Sequence, residues 1–481
     1  MRPVYRAVAL ILALTGFAWV SPCTADNSTT IYQFKGGDDG TWPYAGLLEY
    51  QGEFYGTTWK GGTSGYGTIF KLTPPAKGQS AWTKTALHNF TSNPDGAYPW
   101  AGLIHGGNGN FYGTTNQGGE WGWGTVFQLS PPANPQGEWT VSTIYSFCPQ
   151  LGCYDGTYPQ ASLLLGADGA LYGTASKGGG LNAGTIFRLK LGEPFSVIYD
   201  FCNVGPCLDG WHPVAELIAD KQGALYGTTL YGGDHNSGTA FKLTPPAAGA
   251  SDWTQTVLKS FCYDDYFCND GLYPGSGLVF DTQGNLYGTT LFGGVSNDPY
   301  SYGGGTVFKL TPPGNPGNDT TSWEESVTHS FTNDQLGVKP GAALIVDSQN
   351  NLYGTTRYGG PHLRGSGDGT VFKLGPPHSN GTHRTLTVLT SFSPPRGLPA
   401  TNTHPGGAVI LYQGALYGTT SYGDTRGPAS CDNLETSEVG CGTIFKVPLG
   451  AGAPKPTGSG KSNEPHGSGD DSVPAPPTVP G

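Results

Sequence analysis

The sequence predicts an all-β fold, a seven-bladed β-propeller built from four-stranded antiparallel blades. A Tyr-Gly-Thr motif occurs seven times, and each copy is followed by a glycine-rich turn and a Gly-Thr-(Ile/Val/Ala)-Phe strand. Repeats of this kind, rich in β-forming residues and turns, are typical of sheets arranged radially around an axis. The composition agrees, because 79 of the 481 residues are glycine and only 12% are charged. The motif tyrosines are Tyr55, Tyr112, Tyr172, Tyr226, Tyr287, Tyr353 and Tyr417.

Each repeat contains the four strands of one blade. In residues 276–331 the predicted strands are 277–280, 286–290, 306–310 and 323–331, and a Pro-Pro pair ends the third because proline cannot donate to a sheet. Every repeat supplies a tyrosine in its second strand and phenylalanines in its third and fourth strands. Large rings at fixed places fill the space between twisted sheets, so these rings are predicted to form the core.

The two ends of the array complement each other. The seventh repeat ends after its third strand, 443–447, whereas residues 30–34 carry a fourth-strand pattern with no blade before them. Pairing of these segments closes the ring and removes both exposed edges. The first strand of each blade then lines the central channel. The loops that join fourth to first strands and second to third strands share one side, which we call the loop face.

The termini differ from the repeats in composition. Residues 1–25 resemble a signal peptide, with Arg2 and Arg6 before an apolar stretch and Cys23-Thr24-Ala25 as the cleavage site. The propeller is expected over 26–449. Residues 450–481 are rich in Pro, Gly and Ser and are predicted to be a disordered tail or linker. We therefore expect a monomer that is secreted or held in the cell envelope, with no transmembrane segment in the mature chain.

The remaining cysteines fall into close pairs, three of which follow a phenylalanine and precede an Asp-Gly in consecutive repeats. Their spacing does not fit a zinc site and no histidine cluster accompanies them. In an exported protein such pairs predict small disulfide loops. The predicted disulfides are Cys148–Cys153, Cys202–Cys207, Cys262–Cys268 and Cys431–Cys441.

Aromatic residues recur in the loops between second and third strands. Exposed flat rings stack on sugar faces or contact a partner protein, which makes these residues candidate ligand-binding groups. Packing of one loop against another explains them equally well. The candidates are Trp59, Trp121, Trp123, Tyr231, Phe292, Tyr302, Tyr358 and Tyr422.

Asp-Gly pairs recur in the loops between fourth and first strands of five repeats, beginning at Asp39, Asp95, Asp155, Asp209 and Asp270. Asp-Gly is a strong turn former because the carboxylate bonds to nearby backbone, so a structural role is favoured. Calcium is the functional alternative, with Asp264, Asp265 and Asp270 as weak candidates. It requires six to eight oxygen ligands, and the sequence does not show them converging. We therefore expect no metal and no cofactor.

No catalytic residues are identified. The ten histidines are scattered, and neither a zinc-protease motif nor a nucleophile elbow occurs. A formal net charge of −11 argues against nucleic acid as a partner.

The repeat is similar to a known family. Leu286-Tyr287-Gly288-Thr289-Thr290, Gly293-Gly294 and the segment 305–313 resemble the GloVer tandem repeat of bacterial choice-of-anchor proteins. The resemblance covers roughly residues 30–447 and all seven copies. It implies an exported bacterial protein, often held to the envelope by a C-terminal anchor. This sequence shows no recognisable anchor after its linker, which leaves release from the cell open. The family brings no established activity, so no residue role is carried over.

These observations support three hypotheses. The first is an exported, non-catalytic propeller whose loop face binds an extracellular glycan or protein. The second is a polysaccharide lyase or hydrolase, since propellers host such sites, although fold alone is weak evidence for function. The third is a structural component of the envelope.

Overall fold

The computed structural model describes most of the repeat region. Residues 1–26 and 451–481, which include the predicted signal peptide and nearly all of the predicted tail, lie outside the described residues. The described residues are 27–450 except for 108, 135–136, 264–267, 296–302, 316–320, 333–335, 361–367, 378–383, 393–402, 424–430 and 432–439. Within this part of the chain, no helix is long and apolar enough to span a membrane.

Seven four-stranded sheets form the blades of a propeller, as predicted. Neighbouring strands are antiparallel in every sheet, and in six sheets they follow the chain order first, second, third, fourth. The strands of blades 1 to 4 are β2 (Leu48–Tyr50), β3 (Glu53–Thr58), β4 (Thr68–Thr73), β5 (Thr83–Asn89); β6 (Ile104–His105), β7 (Phe111–Thr115), β8 (Thr125–Ser130), β9 (Thr140–Ser146); β10 (Leu164–Leu165), β11 (Leu171–Ala175), β12 (Thr185–Leu189), β13 (Ser196–Asp200); β14 (Ile218–Ala219), β15 (Leu225–Thr229), β16 (Thr239–Thr244) and β17 (Thr254–Ser260).

The remaining blades repeat this order. Their strands are β18 (Val279–Phe280), β19 (Leu286–Thr290), β20 (Thr306–Thr311), β21 (Glu324–Ser330); β22 (Ile345–Val346), β23 (Leu352–Thr356), β24 (Thr370–Leu374), β25 (Leu386–Ser391); β26 (Ile410–Tyr412), β27 (Ala415–Thr420), β28 (Thr443–Pro448) and, from the chain start, β1 (Thr29–Gln33). The first strand of blade 5 is shorter than predicted, because the chain bends at Ser276 before pairing begins.

The N-terminal strand closes the ring. β1 pairs antiparallel with β28, with Thr30 opposite Phe445 and Gln33 opposite Thr443. The strand covers 29–33 rather than the predicted 30–34, but the Phe34 N–H continues the contact by donating to the Gly442 carbonyl at 3.1 Å. Closure by the chain's own beginning is confirmed, and β28 is paired on both sides.

The glycine of the Tyr-Gly-Thr motif lies under a phenylalanine of the third strand. A Cβ added to Gly288 would lie 2.5 Å from the Phe308 ring and 2.8 Å from the Leu278 side chain. The same overlap with a third-strand phenylalanine occurs in every blade. The motif therefore has a packing role, because only glycine lets the ring cross the second strand at this distance.

The motif threonine joins neighbouring blades. The Thr57 hydroxyl donates to the Ala101 carbonyl at 3.0 Å, which connects blade 1 to the first strand of blade 2. The bond from Thr419 to Ala45, at 2.9 Å, makes the same connection across the closure between blades 7 and 1. Blades 2, 3 and 4 make equivalent bonds to their successors. Buried hydroxyl bonds of this kind fix the position of each blade against the next.

A second threonine, directly after the motif, pairs with the first threonine of the third strand. In six blades the two hydroxyl oxygens lie 2.7 to 2.9 Å apart, as in Thr115 and Thr125. The Thr115 hydroxyl also bonds to the Gln117 carbonyl at 3.0 Å. Blade 3 differs, because Ala175 lies opposite Thr185.

We expect Ala175→Thr to raise the free energy of unfolding by about 1 kcal/mol, since it supplies the hydroxyl that the other blades have. The reverse change in blade 2, Thr115→Ala, should lower it by roughly 1–3 kcal/mol because buried partners lose their bond. Urea denaturation measures both, with Thr115→Ser as the control that keeps the hydroxyl. A destabilised Ala175→Thr protein would contradict the expectation.

Candidate binding face

The loops between fourth and first strands and those between second and third strands lie on one side, as predicted. Backbone bridges join them in the same way around the ring, for example between Ala97 and Gln117 in blade 2 and between Thr157 and Lys177 in blade 3. All four predicted disulfides are present, and three of them close loops between a fourth and a first strand. Four disulfides indicate an oxidising, extracytoplasmic environment.

A proline precedes the first strand of every blade. The residue before this proline joins its blade to the preceding one. The Tyr98 N–H donates to the Tyr66 carbonyl of blade 1 at 2.8 Å, and its carbonyl accepts from Asn116 N–H of blade 2 at 3.1 Å. Six of these seven residues have φ between 56° and 62°. They are Trp42, Tyr98, Tyr158, His212, Tyr273 and Lys339, and His404 occupies the position in blade 7.

This left-handed backbone is unusual, because a residue before proline normally adopts an extended conformation and a bulky side chain disfavours positive φ. The hydrogen bonds on both sides of the residue hold the conformation in place. These positions were not predicted from the sequence. The pattern that could have revealed them is an aromatic, histidine or lysine residue before proline in every repeat.

We define the rim as three positions per blade: the residue before this proline and the two residues that precede the glycine-rich turn after the second strand. In blade 1 these are Trp42, Trp59 and Lys60. The Trp59 N–H donates to the Trp42 carbonyl at 3.0 Å, and the two indoles stack with centroids 5.6 Å apart. Rim rings of neighbouring blades also contact each other, as Trp59 and Tyr98 do at 5.5 Å, so the rim forms a layer of side chains on the loop face.

An aromatic cluster lies on the loop face where blades 7, 1 and 2 meet. Tyr44 of blade 1 stacks on Trp100 of blade 2, with ring centroids 4.6 Å apart and planes 9° from parallel. Its hydroxyl lies 2.6 Å from the Tyr422 hydroxyl of blade 7. Trp59 meets both Tyr44 and Trp100 edge-on. We call Tyr44 and Trp100 the platform, because Trp100 is 40% exposed while its neighbours hold it from behind.

Two predicted site residues, Trp59 and Tyr422, belong to this cluster, where they contact the platform residues. Tyr422 is only 3% exposed, so loop packing explains it. The members of the platform itself were not predicted. They directly follow the proline that precedes the first strand, and no pattern in the sequence distinguished them.

The other predicted aromatic residues spread around the rim and beyond it. Tyr231 stacks on Trp211 at 4.5 Å, while Phe292 and Tyr358 lie on either side of Lys339. Trp121 and Trp123, in the blade 2 loop, are 47% and 38% exposed, and Trp123 meets Tyr158 edge-on. Tyr302 lies outside the described residues.

The Asp-Gly carboxylates turn inward and close their own loops. Asp39 accepts hydrogen bonds from the Lys35 N–H and the Tyr32 hydroxyl, both at 2.8 Å. Asp155 likewise accepts from the Cys148 N–H and the Tyr145 hydroxyl. Their structural role in turns is therefore observed.

The weak calcium candidates are not assembled into a ligand set in the described part of the chain. Asp270 contacts the Lys259 ammonium at 2.7 Å, and Asp264 and Asp265 lie outside the described residues. No group of three or more His, Cys, Asp or Glu side chains there is arranged to hold a metal ion.

Glu325 lies beside this ion pair, 3.9 Å from the Lys259 ammonium. Burial raises the pKa of its carboxyl to about 7; Lys259 opposes the rise and Asp270 adds to it. The protonated form therefore stabilises the folded state fully below the unfolded pKa of 4.5, and this stabilisation is lost as the pH rises through about 7.

We expect Glu325→Gln to raise the free energy of unfolding at pH 8 by roughly 1–3 kcal/mol and to leave it nearly unchanged at pH 4.5. Urea denaturation at both pH values measures the difference. The neighbouring Glu324 is exposed, so Glu324→Gln is the matched control and should show no such pH dependence. An equal effect of Glu325→Gln at both pH values would contradict the assignment.

Comparison with known proteins places the chain in a repeat family. The model of the Gloeobacter/Verrucomicrobia repeat matches residues 20–153, 76–300 and 265–454. No match was found among curated proteins.

Solved structures give weaker likenesses. A fungal alcohol oxidase of the AA5 family is 14% identical, with 90% of this chain and 79% of that one covered and a TM-score of 0.49. A PL25 ulvan lyase bound to a saccharide is 12% identical, with 87% and 95% covered and a TM-score of 0.48. Drosophila semaphorin 1a is 10% identical, with 88% of both chains covered and a TM-score of 0.46. Such values assign neither substrate nor reaction. On the repeat match, which spans nearly all of the propeller, the chain belongs to the Gloeobacter/Verrucomicrobia repeat family.

Proposed function

We propose that this protein is an exported, non-catalytic propeller that binds an extracellular glycan through its loop face. The single observation that carries the proposal is the platform. Tyr44 and Trp100 stack almost in parallel, and 40% of Trp100 remains open to solvent. A large ring kept exposed in this way offers a flat apolar surface with polar groups at its edge, which suits the face of a sugar.

The surroundings of the platform favour binding because they hold its rings in place before any ligand arrives. The Tyr44 hydroxyl bonds to Tyr422, and Trp59 packs against both platform rings. Rings that are already ordered lose little conformational freedom on binding, so more of the contact energy becomes affinity. A structural envelope component has no need for an exposed, supported ring at this place.

Export is the second part of the proposal. It is supported by the signal-like residues 1–25 and by the four disulfides, which are typical of oxidising compartments. Extracellular glycans are accessible to a protein in that location.

A glycan array followed by titration calorimetry of the purified full chain tests binding. We expect Trp100→Ala to weaken binding of the best glycan about tenfold or more, corresponding to at least about 1.4 kcal/mol. Trp121→Ala tests another candidate ring on the same face outside the platform, and the matched control is Leu191→Ala, in the third-to-fourth-strand loop of blade 3 on the opposite side. Both side chains are well exposed.

Three results would count against the proposal. Failure of every glycan to bind would remove the function, and equal loss in Trp100→Ala and Trp121→Ala would remove the platform as its site. Release of new reducing ends or unsaturated sugars from a bound polysaccharide would replace binding by a lyase or hydrolase activity.

A further inference from the structure

The rim carries no carboxylate, although the whole chain has a net charge of −11. It consists of aromatic, basic, histidine and small or amide-bearing residues with a few leucines. The seven residues before the prolines were given above; the others are Trp59, Lys60, Asn116, Gln117, Ser176, Lys177, Leu230, Tyr231, Leu291, Phe292, Arg357, Tyr358, Ser421 and Tyr422. Its only full charges are therefore four positive ones, from Lys60, Lys177, Lys339 and Arg357.

Aromatic rings hold these cations on the loop face. The Lys60 ammonium lies 4.7 Å from the Trp59 ring and 5.1 Å from the Trp42 ring. Lys339 is held in the same way, 4.8 Å from Phe292 and 5.1 Å from Tyr358. A ring attracts a cation without neutralising it, so these charges remain available to a ligand.

The two other cations are exposed and lie next to the same layer. Lys177 is 5.8 Å from the Tyr158 ring, and Arg357 is 5.7 Å from the Tyr358 ring. Burial lowers the pKa of His212, and the charge of Lys177 lowers it further, so the ammonium lies close to the rim histidine of the next blade. Within the described residues none of the four cations forms an ion pair with a carboxylate.

Two acidic residues of the loop face, Asp39 and Asp95, form hydrogen bonds with residues that are not part of the rim. Asp39 accepts bonds from Lys35 and Lys84, and Asp95 accepts bonds from His88 and Thr91. The rim positions themselves carry a charge opposite in sign to that of the molecule as a whole. A charge pattern of this kind attracts anions to one place and repels them elsewhere.

We propose that the rim selects an anionic glycan, one that carries carboxylate or sulfate groups along its chain. This inference rests on the proposed glycan-binding function and adds the class of ligand. The sugar face stacks on the platform, while the acidic groups contact the rim cations; Arg357 can bind a carboxylate or sulfate in two-point geometry.

The test uses pairs of polymers that share a backbone and differ in charge. Dextran is compared with dextran sulfate, and methyl-esterified polygalacturonate with free polygalacturonate, by calorimetry on the full chain at 50 and 300 mM NaCl. We expect the charged member of at least one pair to bind tenfold or more tightly than its neutral counterpart, and its affinity to fall at the higher salt. The two pairs distinguish sulfate from carboxylate.

Variants that remove positive charges show which residues cause the tighter binding of the charged polymer. Lys177→Gln with Arg357→Gln should weaken binding of the charged polymer tenfold or more while leaving the neutral member unaffected. The control, Lys77→Gln with Lys221→Gln, removes two exposed lysines from loops on the opposite side and should change neither affinity.

The outcomes separate this inference from the function on which it rests. Equal binding of charged and neutral members overturns the anionic preference and leaves glycan binding in place, whereas failure of all polymers and glycans to bind removes both. Equal losses in the two double variants would mean that total charge, and not the rim, determines binding. Tighter binding of single-stranded DNA than of either charged polysaccharide would also overturn the inference.

Discussion

Removal of residues 29–34 is expected to destabilise the whole propeller, lowering the free energy of unfolding by at least about 3–5 kcal/mol, the loss typical of one buried phenylalanine. Phe34 is 1% exposed and meets the Phe70 ring edge-on with centroids 5.3 Å apart. The deletion also removes the pairing of β1 with β28. The exposed edge of β28 is then free to pair with other molecules, so aggregation should increase.

Urea denaturation and size-exclusion chromatography of the truncated protein measure these two effects. A synthetic peptide of residues 27–36, added to the truncated protein, should restore stability by an amount that rises with the logarithm of its concentration above Kd, because it binds only the folded state. A scrambled peptide of the same composition is the control. If the truncated protein unfolds at the same urea concentration as the intact one, closure by β1 does not stabilise the ring.

The second large effect is expected from Gly288→Ala, a change of one methyl group in blade 5. The new Cβ would lie 2.5 Å from the Phe308 ring, which is fully buried, and 2.8 Å from the Leu278 side chain. Overpacking of this kind costs about 1–3 kcal/mol and sometimes more, because a buried ring has nowhere to move. We therefore expect a loss of stability at the upper end of that range.

A glycine in the same blade provides the control. A Cβ on Gly275 would meet its nearest neighbours at 3.5 and 3.6 Å, an ordinary contact distance, so Gly275→Ala should change stability little. The double variant with Phe308→Leu and Gly288→Ala should lose less stability than the two single variants lose in sum, since the smaller side chain makes room for the methyl group. Equal effects of Gly288→Ala and Gly275→Ala would show that ring overlap is not the reason for the motif.

Much of the fold was predictable because its determinants are local and recur. The second strand of blade 5, predicted at 286–290, is found at Leu286–Thr290, since its apolar and turn residues lie within one short segment. The disulfides were predicted from cysteines only 5 to 10 residues apart. Ring closure was predicted because the seventh repeat lacks a fourth strand and residues 30–34 have the pattern of one. A first strand such as Val279–Phe280 was less predictable, because its length depends on where the chain bends toward the axis.

The exposure of the candidate rings was not predictable from the sequence, because exposure depends on how neighbouring blades pack against each other. Trp121 and Tyr422 lie in equivalent loops, yet Trp121 is 47% exposed and Tyr422 is 3% exposed. The contact between the Tyr44 and Tyr422 hydroxyls joins residues 378 positions apart, and no local pattern encodes it.

By itself, the sequence determined the repeat, the number of blades, their closure and the disulfide loops. Periodic strands and turns fix the blades and the disulfide loops through contacts between residues close together in the chain, and closure, which pairs β1 with β28, follows from the number of strands. Only the tertiary structure decided which aromatic rings are exposed, which backbone positions before proline are left-handed, and where the rim cations lie. These features arise from contacts between blades, and the physical reason is that hydrogen bonds and ring packing across each junction outweigh the local preferences of the residues involved.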